Sequence, residues 1–378
     1  MPDILLATIN ARYAHASLAL RSLHANLGPL AQRAVLHEFS LGADTAAMAE
    51  ELLADRPRII GLGVSIWNAA ESAALVRLLK AVAPETVVVL GGPEVSHLPH
   101  RVDFSAADYI VAGEGETAFR ELCTALLAGV PPAARTLTAA PEDPALLAAP
   151  YPLYTDHDLA TRVTYVEASR GCPFACEFCL SSLDKAVRYF PLEPFMASLE
   201  VLWRRGARHF KFVDRTFNLD MERAYRILDF FLEKEPPYLL HLEMVPENFP
   251  DGLRERLTRF PPAVLQLEVG IQTMDAGVAA RIGRRLDMET IAANLHFLRE
   301  RTAAHLHADL ILGLPGEGVA EFGVGLDRLV ALTGSEVQLG VLKKLSGTAL
   351  SRHDGPCGLV WQETPPSRSR NASLVQDT

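Results

Sequence analysis

Cysteine is scarce in this sequence: five among 378 residues, an odd number, with three crowded between Cys172 and Cys179. A disulfide framework needs paired and dispersed cysteines, so this set excludes one and points to metal ligands in a reducing compartment. Long apolar runs are also missing. The longest, near Ile59 to Trp67, falls far short of the roughly 18 to 20 residues of a membrane span, and no membrane span is expected. Met1-Pro2-Asp3 leads only into a short apolar stretch ending near Ile9, without the basic start or length of a signal peptide. The expected location is therefore cytoplasmic. Positive charge is in deficit, 36 Lys and Arg against 46 Asp and Glu, a net charge of -10 with no basic stripe. That argues against a broad nucleic-acid face, which needs clustered cations, and leaves a small-molecule or peptide substrate. Apolar residues at 49% and charged residues at 22% exclude disordered and fibrous classes.

The length exceeds the roughly 250 to 300 residues at which one core stops growing, so two domains are expected. Strand candidates at Ile4 to Thr8, Val35 to Phe39, Ile59 to Ser65, Thr86 to Leu90 and Tyr109 to Val111 alternate with helical periods at Leu18 to Leu27, Thr45 to Ala54, Ala70 to Val82 and Glu116 to Ala128. Strand and helix in alternation predict an α/β domain over residues 1–130, a doubly wound, Rossmann-like parallel sheet. Its strands end in Gly61-Leu62-Gly63-Val64-Ser65 and Leu90-Gly91-Gly92-Pro93, where open sheets of this kind bind ligands, although glycines also serve simple turns. Residues 131–160, rich in Pro, Ala, Thr and Asp, read as a linker. Six further strands, near Val163 to Ser169, His209 to Asp214, Tyr238 to Met244, Val264 to Gly270, Leu306 to Leu312 and Val337 to Leu342, predict a partial (β/α)6 TIM-like barrel over 161–350 with its site at the strands' carboxyl ends. Residues 351–378 read as an irregular tail.

The first of those six strands runs into Arg170-Gly171-Cys172-Pro173-Phe174-Ala175-Cys176-Glu177-Phe178-Cys179. Three thiolates in one short loop can ligate three irons of a cubane cluster and leave the fourth iron open. A structural zinc site is the alternative, but zinc ordinarily takes four ligands, and no second Cys pair exists. Cys123 and Cys357 stand alone and read as incidental thiols. Cys-x3-Cys-x2-Cys with an aromatic before the third Cys resembles the radical S-adenosylmethionine superfamily. The resemblance implies a 4Fe-4S cluster on Cys172, Cys176 and Cys179, with Phe178 near the adenine of S-adenosyl-L-methionine. It continues along the chain. Lys211-Phe212-Val213-Asp214-Arg215-Thr216-Phe217-Asn218 stands where the family commonly has Gly-Gly-Glu; Asp214 is the carboxylate suited to the methionyl ammonium, with Arg215 and Asn218 left for other contacts and a turn role for Asp214 as the alternative. His241, Glu243 and Asn248 could line the same pocket or be loop polars. Leu265 to Thr273 is similar to the family's ribose strand, which makes Glu268 and Gln272 candidates for the hydroxyls; Gln266, Glu268 and Gly270 share one strand face. Gly313-Leu314-Pro315-Gly316-Glu317 matches the family's adenine-flanking segment, implicating Gly313 and Pro315.

In that light the first domain resembles the cobalamin-binding domain of cobalamin-dependent members. Ser65, Gly91 and Gly92 would face the nucleotide tail, and Ala107 to Glu116 is a further point of likeness. The axial Asp-x-His-x-x-Gly element is missing: His15, in Arg12-Tyr13-Ala14-His15-Ala16-Ser17, does not fit its spacing, so cobalamin without a protein imidazole is expected. The resemblance implies generation of a 5'-deoxyadenosyl radical, an electron donor such as flavodoxin or ferredoxin, and methyl transfer to an unactivated carbon as the leading outcome. Alternatives are a cobalamin-associated rearrangement, cyclisation or oxidation, and a non-enzymatic iron-sulfur or zinc protein.

Overall fold

Seven consecutive residues, Ile4–Asn10, are buried on both faces and form β1, as expected of a central parallel strand covered by helices on either side. Around it the computed structural model, which describes residues 1–362 and 372–374, builds one parallel sheet. β2 is Ala34–Ser40, β3 Ile59–Gly63, β4 Val87–Gly91, β5 Tyr109–Ala112 and β6 Thr136–Thr138, in the order β2-β1-β3-β4-β5-β6. Odd and even positions of β1 feed opposite layers. Leu5, Ala7 and Ile9 pack with Met48 and Leu52 of α2 (Thr45–Leu53) and Leu75, Val76 and Leu79 of α3 (Ala69–Val82). Ile4 and Leu6 pack with Leu20 of α1 (Leu18–Ala25) and Phe119, Leu122 and Cys123 of α4 (Glu116–Leu127). Local chemistry starts the helices: the Ser17 hydroxyl accepts from the Leu20 N–H at 3.2 Å, and Asp44 from the Ala47 N–H at 2.9 Å. The strand order reverses between β1 and β3, which opens a crevice at their carboxyl ends.

Two compact units divide the chain: Met1–Tyr165 with Glu200–Gly206, and Val166–Leu199 with Ala207–Thr378. The stretch read as a linker, 131–160, is folded into the first unit. It supplies β6, two 3-10 turns at Pro144–Leu146 and Tyr151–Leu153, and α5 at Asp156–Thr161, which begins with a Thr155/Asp158 capping box. These elements are too short and too rich in proline to leave a period in the sequence. Their anchor is tertiary. Tyr154 is fully buried and donates to the Tyr165 carbonyl at 2.9 Å. Arg21 lies over its ring at 4.6 Å and bridges Glu38 at 3.0 Å and Asp158 at 2.9 Å, while Arg162 reaches the same Glu38 at 2.9 Å.

In the second unit the strands are β7 (Thr164–Val166), the short antiparallel pair β8 (Ser169–Arg170) and β9 (Arg188–Tyr189), then β10 (His209–Phe212), β11 (Leu239–Met244), β12 (Leu265–Gln272), β13 (His305–Leu312) and β14 (Glu336–Val341). The six long-range partners form a parallel sheet ordered β14-β13-β12-β11-β10-β7, the partial barrel. Intervening helices include α7 (Met221–Leu232), α8 (Asp251–Leu257), α9 (Ala276–Arg281), α10 (Met288–Arg301) and α11 (Val319–Thr333), which Gly334 stops at φ +55°. On β12 Leu265, Leu267, Val269 and Ile271 are buried, whereas Gln266, Glu268, Gly270 and Gln272 take the other, less buried face. The expectation of an irregular tail falls partly on residues 363–371 and 375–378, outside those described. Within the described part, Ala349–His353 is a 3-10 turn that buries His353.

The Arg21 network yields a stability prediction. Removing one member of a buried ion network strands its partners, so Arg21→Ala should cost about 3–5 kcal/mol in urea unfolding. Arg204→Ala, at a pair whose arginine side chain is 76% exposed, should change stability by less than about 0.5 kcal/mol.

Candidate cluster and cofactor site

The cysteine loop follows β8 and is pinned from several sides. Gly171 has φ +90°, and a Cβ there would lie 2.3 Å from the Ala186 carbonyl oxygen. Gly283, at φ +75°, passes so close to the loop that its Cβ would meet the Ala175 oxygen at 2.4 Å. Only glycine allows either approach. The Cys172 N–H donates to Asp184 O at 2.8 Å and the Glu177 N–H to Ile282 O at 3.0 Å. Ser182 Oγ donates to the carbonyls of Cys176 at 2.8 Å and Cys179 at 2.7 Å. The Glu177 carboxylate, itself buried, is gripped by Arg352 and by His353 at 2.7 Å.

All three thiols are free, and Cys172 and Cys176 are buried. Burial pushes both thiols up; at Cys176 the Arg284 guanidinium, 3.6 Å from Sγ, opposes the shift. Arg284 also donates to Gly270 O at 2.8 Å. Among the described residues, the group of His, Cys, Asp and Glu whose ligand atoms all lie within 4.8 Å of one another is elsewhere, at His305, His307 and Glu336. A cluster that gives each of three thiolates its own iron suits the donor set of Cys172, Cys176 and Cys179. Cys123, deep in the first unit, has its thiol pushed up to about 12 by burial, as an inert core thiol would.

Phe178 and Leu314 belong to one apolar cluster with Val278, Ile282 and Leu350. The aromatic after the second cysteine and the Gly313-Leu314-Pro315 segment thus come together. Gly313 has φ +89°, and Arg281 donates to the Pro315 carbonyl at 2.6 Å. At the end of β12 the register with β13 shifts between Gly270 and Gln272, and Gln272 takes φ +73°. A β-bulge with a left-handed non-glycine residue is strained backbone of the kind found at ligand sites. The side chain folds back so that its Nε2 would lie 2.5 Å from a Cβ at Gly270.

The less buried face of the barrel sheet carries a polar ladder. Glu268 Oε2 lies 2.9 Å from His241 Nε2 and 3.7 Å from Lys211 Nζ. The His241 hydrogen bond, helped by the Lys211 charge, holds Glu268 well below the usual carboxylate range. Asp309 goes the opposite way: burial and the Glu268 charge raise it. Glu243 is raised by burial and paired with Arg215 at 3.0 Å. Lys211 and Asp309 lie inside the motif segments yet had no assigned role; strand alternation with His241 and Glu268 was the signal that could have found them. Arg284 and His353 left no signal, since each acts across more than 100 residues.

Asp214 requires a correction. It is 2% exposed, its Oδ2 accepts from the Ala168 N–H at 3.0 Å and its Oδ1 from Ser169 Oγ at 2.5 Å. The carboxyl braces the strand end that leads into the cysteine loop instead of standing open to an ammonium. Asn218 is likewise committed, donating to the carbonyls of Val245 at 3.0 Å and Asn248 at 2.7 Å.

In the first unit Ser65 and Gly91-Gly92 lie at the carboxyl ends of β3 and β4. Gly92, at φ +103°, runs so low over β3 that a Cβ would be 2.5 Å from Val64 O. Asn68 is fully buried; its Oδ1 accepts from the Ser65 N–H at 2.8 Å while its Nδ2 donates to Ile9 O at 2.9 Å. Trp67, 47% exposed, donates to the same carbonyl at 3.2 Å. The result is a low, glycine-floored shelf beside the half-exposed Trp67. His15 Nδ1 is bonded to Tyr165 Oη at 2.6 Å.

Residues 5–123 match the B12 binding domain family, and residues 166–328 match the Radical SAM superfamily. The chain belongs to the B12-binding radical S-adenosylmethionine enzymes. Cobalamin, a 4Fe-4S cluster and S-adenosylmethionine are the cofactors of this family. The chain is 28% identical over 374 residues to the 2-(S-pantetheinyl)-carbapenam-3-carboxylate methyltransferase of Streptantibioticus cattleyicolor, covering 85% of this chain and 54% of that one. It is 26% identical to the cobalamin-dependent radical SAM methyltransferase TokK of Streptomyces tokunonensis, over 80% of this chain and 49% of TokK. The fold matches that of the radical S-adenosylmethionine methyltransferase TsrM from Kitasatospora setae, with TM-score 0.69, 18% identity, and coverage of 97% of this chain and 76% of TsrM. The chain spans about half the length of the curated relatives it matches. No helix among the described residues is long and apolar enough to cross a membrane.

Asp214 supplies a pH prediction. Burial, against the hydrogen bonds from Ala168 and Ser169, lifts its carboxyl to about 6; an unfolded Asp titrates near 3.9. The folded state therefore holds the extra proton between these values, and stability should fall as pH rises from about 4 to about 6, by roughly 2–3 kcal/mol. Asp214→Asn should remove that part of the slope in urea unfolding measured across this pH range.

Proposed function

We propose that the protein cleaves S-adenosylmethionine reductively and, with cobalamin on residues 1–130, transfers a methyl group to an unactivated carbon of a small-molecule or peptide substrate. The observation that carries this reading is the pinned loop that presents Cys172, Cys176 and Cys179 within eight residues, with the Arg284 guanidinium at Cys176. Bound there, the cluster and S-adenosylmethionine supply a 5'-deoxyadenosyl radical. Residues 161–350 have the task of holding them. Cys172, Cys176 and Cys179 ligate iron; Arg284 offsets thiolate charge beside Cys176; Asp214 and Glu177 fix the loop. Phe178, Gly313 and Pro315 flank the adenine. Glu268 and Gln272 accept from and donate to the ribose hydroxyls, Glu268 being kept ionised by His241 and Lys211. The shelf of Ser65, Gly91 and Gly92 takes the nucleotide tail of cobalamin, with no imidazole from His15. Methyl transfer is favoured over other radical chemistry by the activities named for two relatives, the carbapenam-carboxylate methyltransferase and TokK. A cytoplasmic setting, with flavodoxin or ferredoxin as electron donor, suits the free thiols.

Anaerobic reconstitution should give one cluster per chain. Cys172→Ala, Cys176→Ala and Cys179→Ala should each abolish it in iron and sulfide assays, with Cys123→Ala and Cys357→Ala unchanged; a retained cluster in the first three would remove the reading. Glu268→Gln should keep the cluster and weaken S-adenosylmethionine binding about tenfold in titrations, since losing one charged hydrogen bond typically costs about 1.5–3 kcal/mol. Deoxyadenosine formation with no methylated product on any offered substrate would favour rearrangement or oxidation.

A further inference from the structure

At the opposite, amino end of the barrel sheet, β13 begins His305-Leu306-His307. Residues two apart on a strand share a face, so both imidazoles project together, their rings edge to face with centroids 4.5 Å apart. In the parallel register Glu336, the first residue of β14, stands directly opposite His307. Its Oε2 is 3.4 Å from His305 Nε2 and 3.4 Å from His307 Nε2. The three ligand atoms all lie within 4.8 Å of one another.

We propose that His305, His307 and Glu336 form a second metal site, for a divalent transition ion of the zinc class, separate from the iron-sulfur cluster. Two imidazoles and one carboxylate are the donors such an ion prefers, and three protein ligands leave a fourth position for water. The spacing also fits. Donors at about 2.0–2.1 Å from a tetrahedral ion stand about 3.3–3.4 Å apart, which is the separation of each imidazole nitrogen from Glu336. Beside the pair, the Gln266 Nε2 of β12 lies 3.3 Å from His307 Nδ1 and 3.4 Å from its Nε2. His305 is seven residues along β13 from Leu312, roughly 23 Å at about 3.3 Å per residue, and the Gly313-Leu314-Pro315 segment lies beyond Leu312, although His307 itself stands beside Glu268 in the parallel register. The site's structural effect follows from its place: β14 is the edge strand of an open sheet, exposed along nearly its whole length, and an ion shared by β13 and β14 would staple that edge.

The test is calorimetric titration of Zn2+ into the full-length, cluster-reconstituted protein under anaerobic conditions, with iron and zinc assayed after desalting. One equivalent should bind with micromolar or tighter affinity and raise the melting temperature by a few degrees, with iron content unchanged. His305→Ala and Glu336→Gln should each weaken zinc at least tenfold, and His305→Ala/His307→Ala should abolish the retained equivalent, while keeping the cluster and the zinc-free melting temperature. If the double substitution impairs folding, His305→Gln alone, at a half-exposed side chain, should still weaken zinc at least tenfold. Unchanged zinc affinity in the double-histidine protein would overturn the proposal, as would zinc retention that disappears only in the Cys172→Ala, Cys176→Ala and Cys179→Ala proteins. Neither readout depends on S-adenosylmethionine cleavage, so failure here leaves the proposed function standing and the converse also holds.

Discussion

Three thiols must be presented from eight residues without collapsing into a disulfide or a single-ion site, and the second unit is organised around that demand. Burial alone opposes it, because it favours the neutral thiol. The protein answers with backbone geometry and charge: glycines at 171 and 283 that tolerate contacts no Cβ could make, main-chain hydrogen bonds at both ends of the loop, and a guanidinium at Cys176. Iron held there would complete the balance, because cysteine ligates metal as the thiolate. The loop is thus rigid on one side and electrostatically unfinished on the other, which suits a site built to receive a cofactor.

Parallel topology explains why chemistry collects where it does. In each unit the strands run the same way, so all their carboxyl ends open on one edge. In the first unit this edge holds the glycine-floored shelf at Ser65, Gly91 and Gly92. In the second it holds the cysteine loop, the bulge at Gln272 and the Gly313-Pro315 segment. The polar ladder of Lys211, His241, Glu243, Glu268 and Asp309 lies on the same sheet face. Such groups are costly away from water unless partnered, and here Lys211 and His241 face Glu268 and Arg215 faces Glu243; where two carboxyls meet, burial and the Glu268 charge raise Asp309. The face is therefore prepared for polar ligands without carrying a large net field.

Asp214 shows how a residue's position can be legible while its direction is not. Its position after β10 and its carboxylate were legible; its direction was not, because whether a strand-end side chain turns outward or beneath the adjoining strand depends on the neighbouring chain. Ala168 and Ser169, more than 40 residues earlier, supply the two donors that draw it inward. The same reasoning covers Arg284 at Cys176 and His353 at Glu177.

What the sequence by itself determined was the set of elements and the metal-binding loop. Buried parallel strands read as runs such as Ile4 to Ile9 and Val87 to Leu90 because both faces must be apolar, amphipathic helices repeat at their own period, and three cysteines in Cys-x3-Cys-x2-Cys are local information. Tertiary structure alone decided the rest. It folded 131–160 into the first unit, since a three-residue strand and a six-residue helix have no period and depend on Tyr154 and the Arg21 network. It also set the register that places Glu336 of β14 opposite His307, for pairing between strands is a property of two segments and neither segment carries it alone.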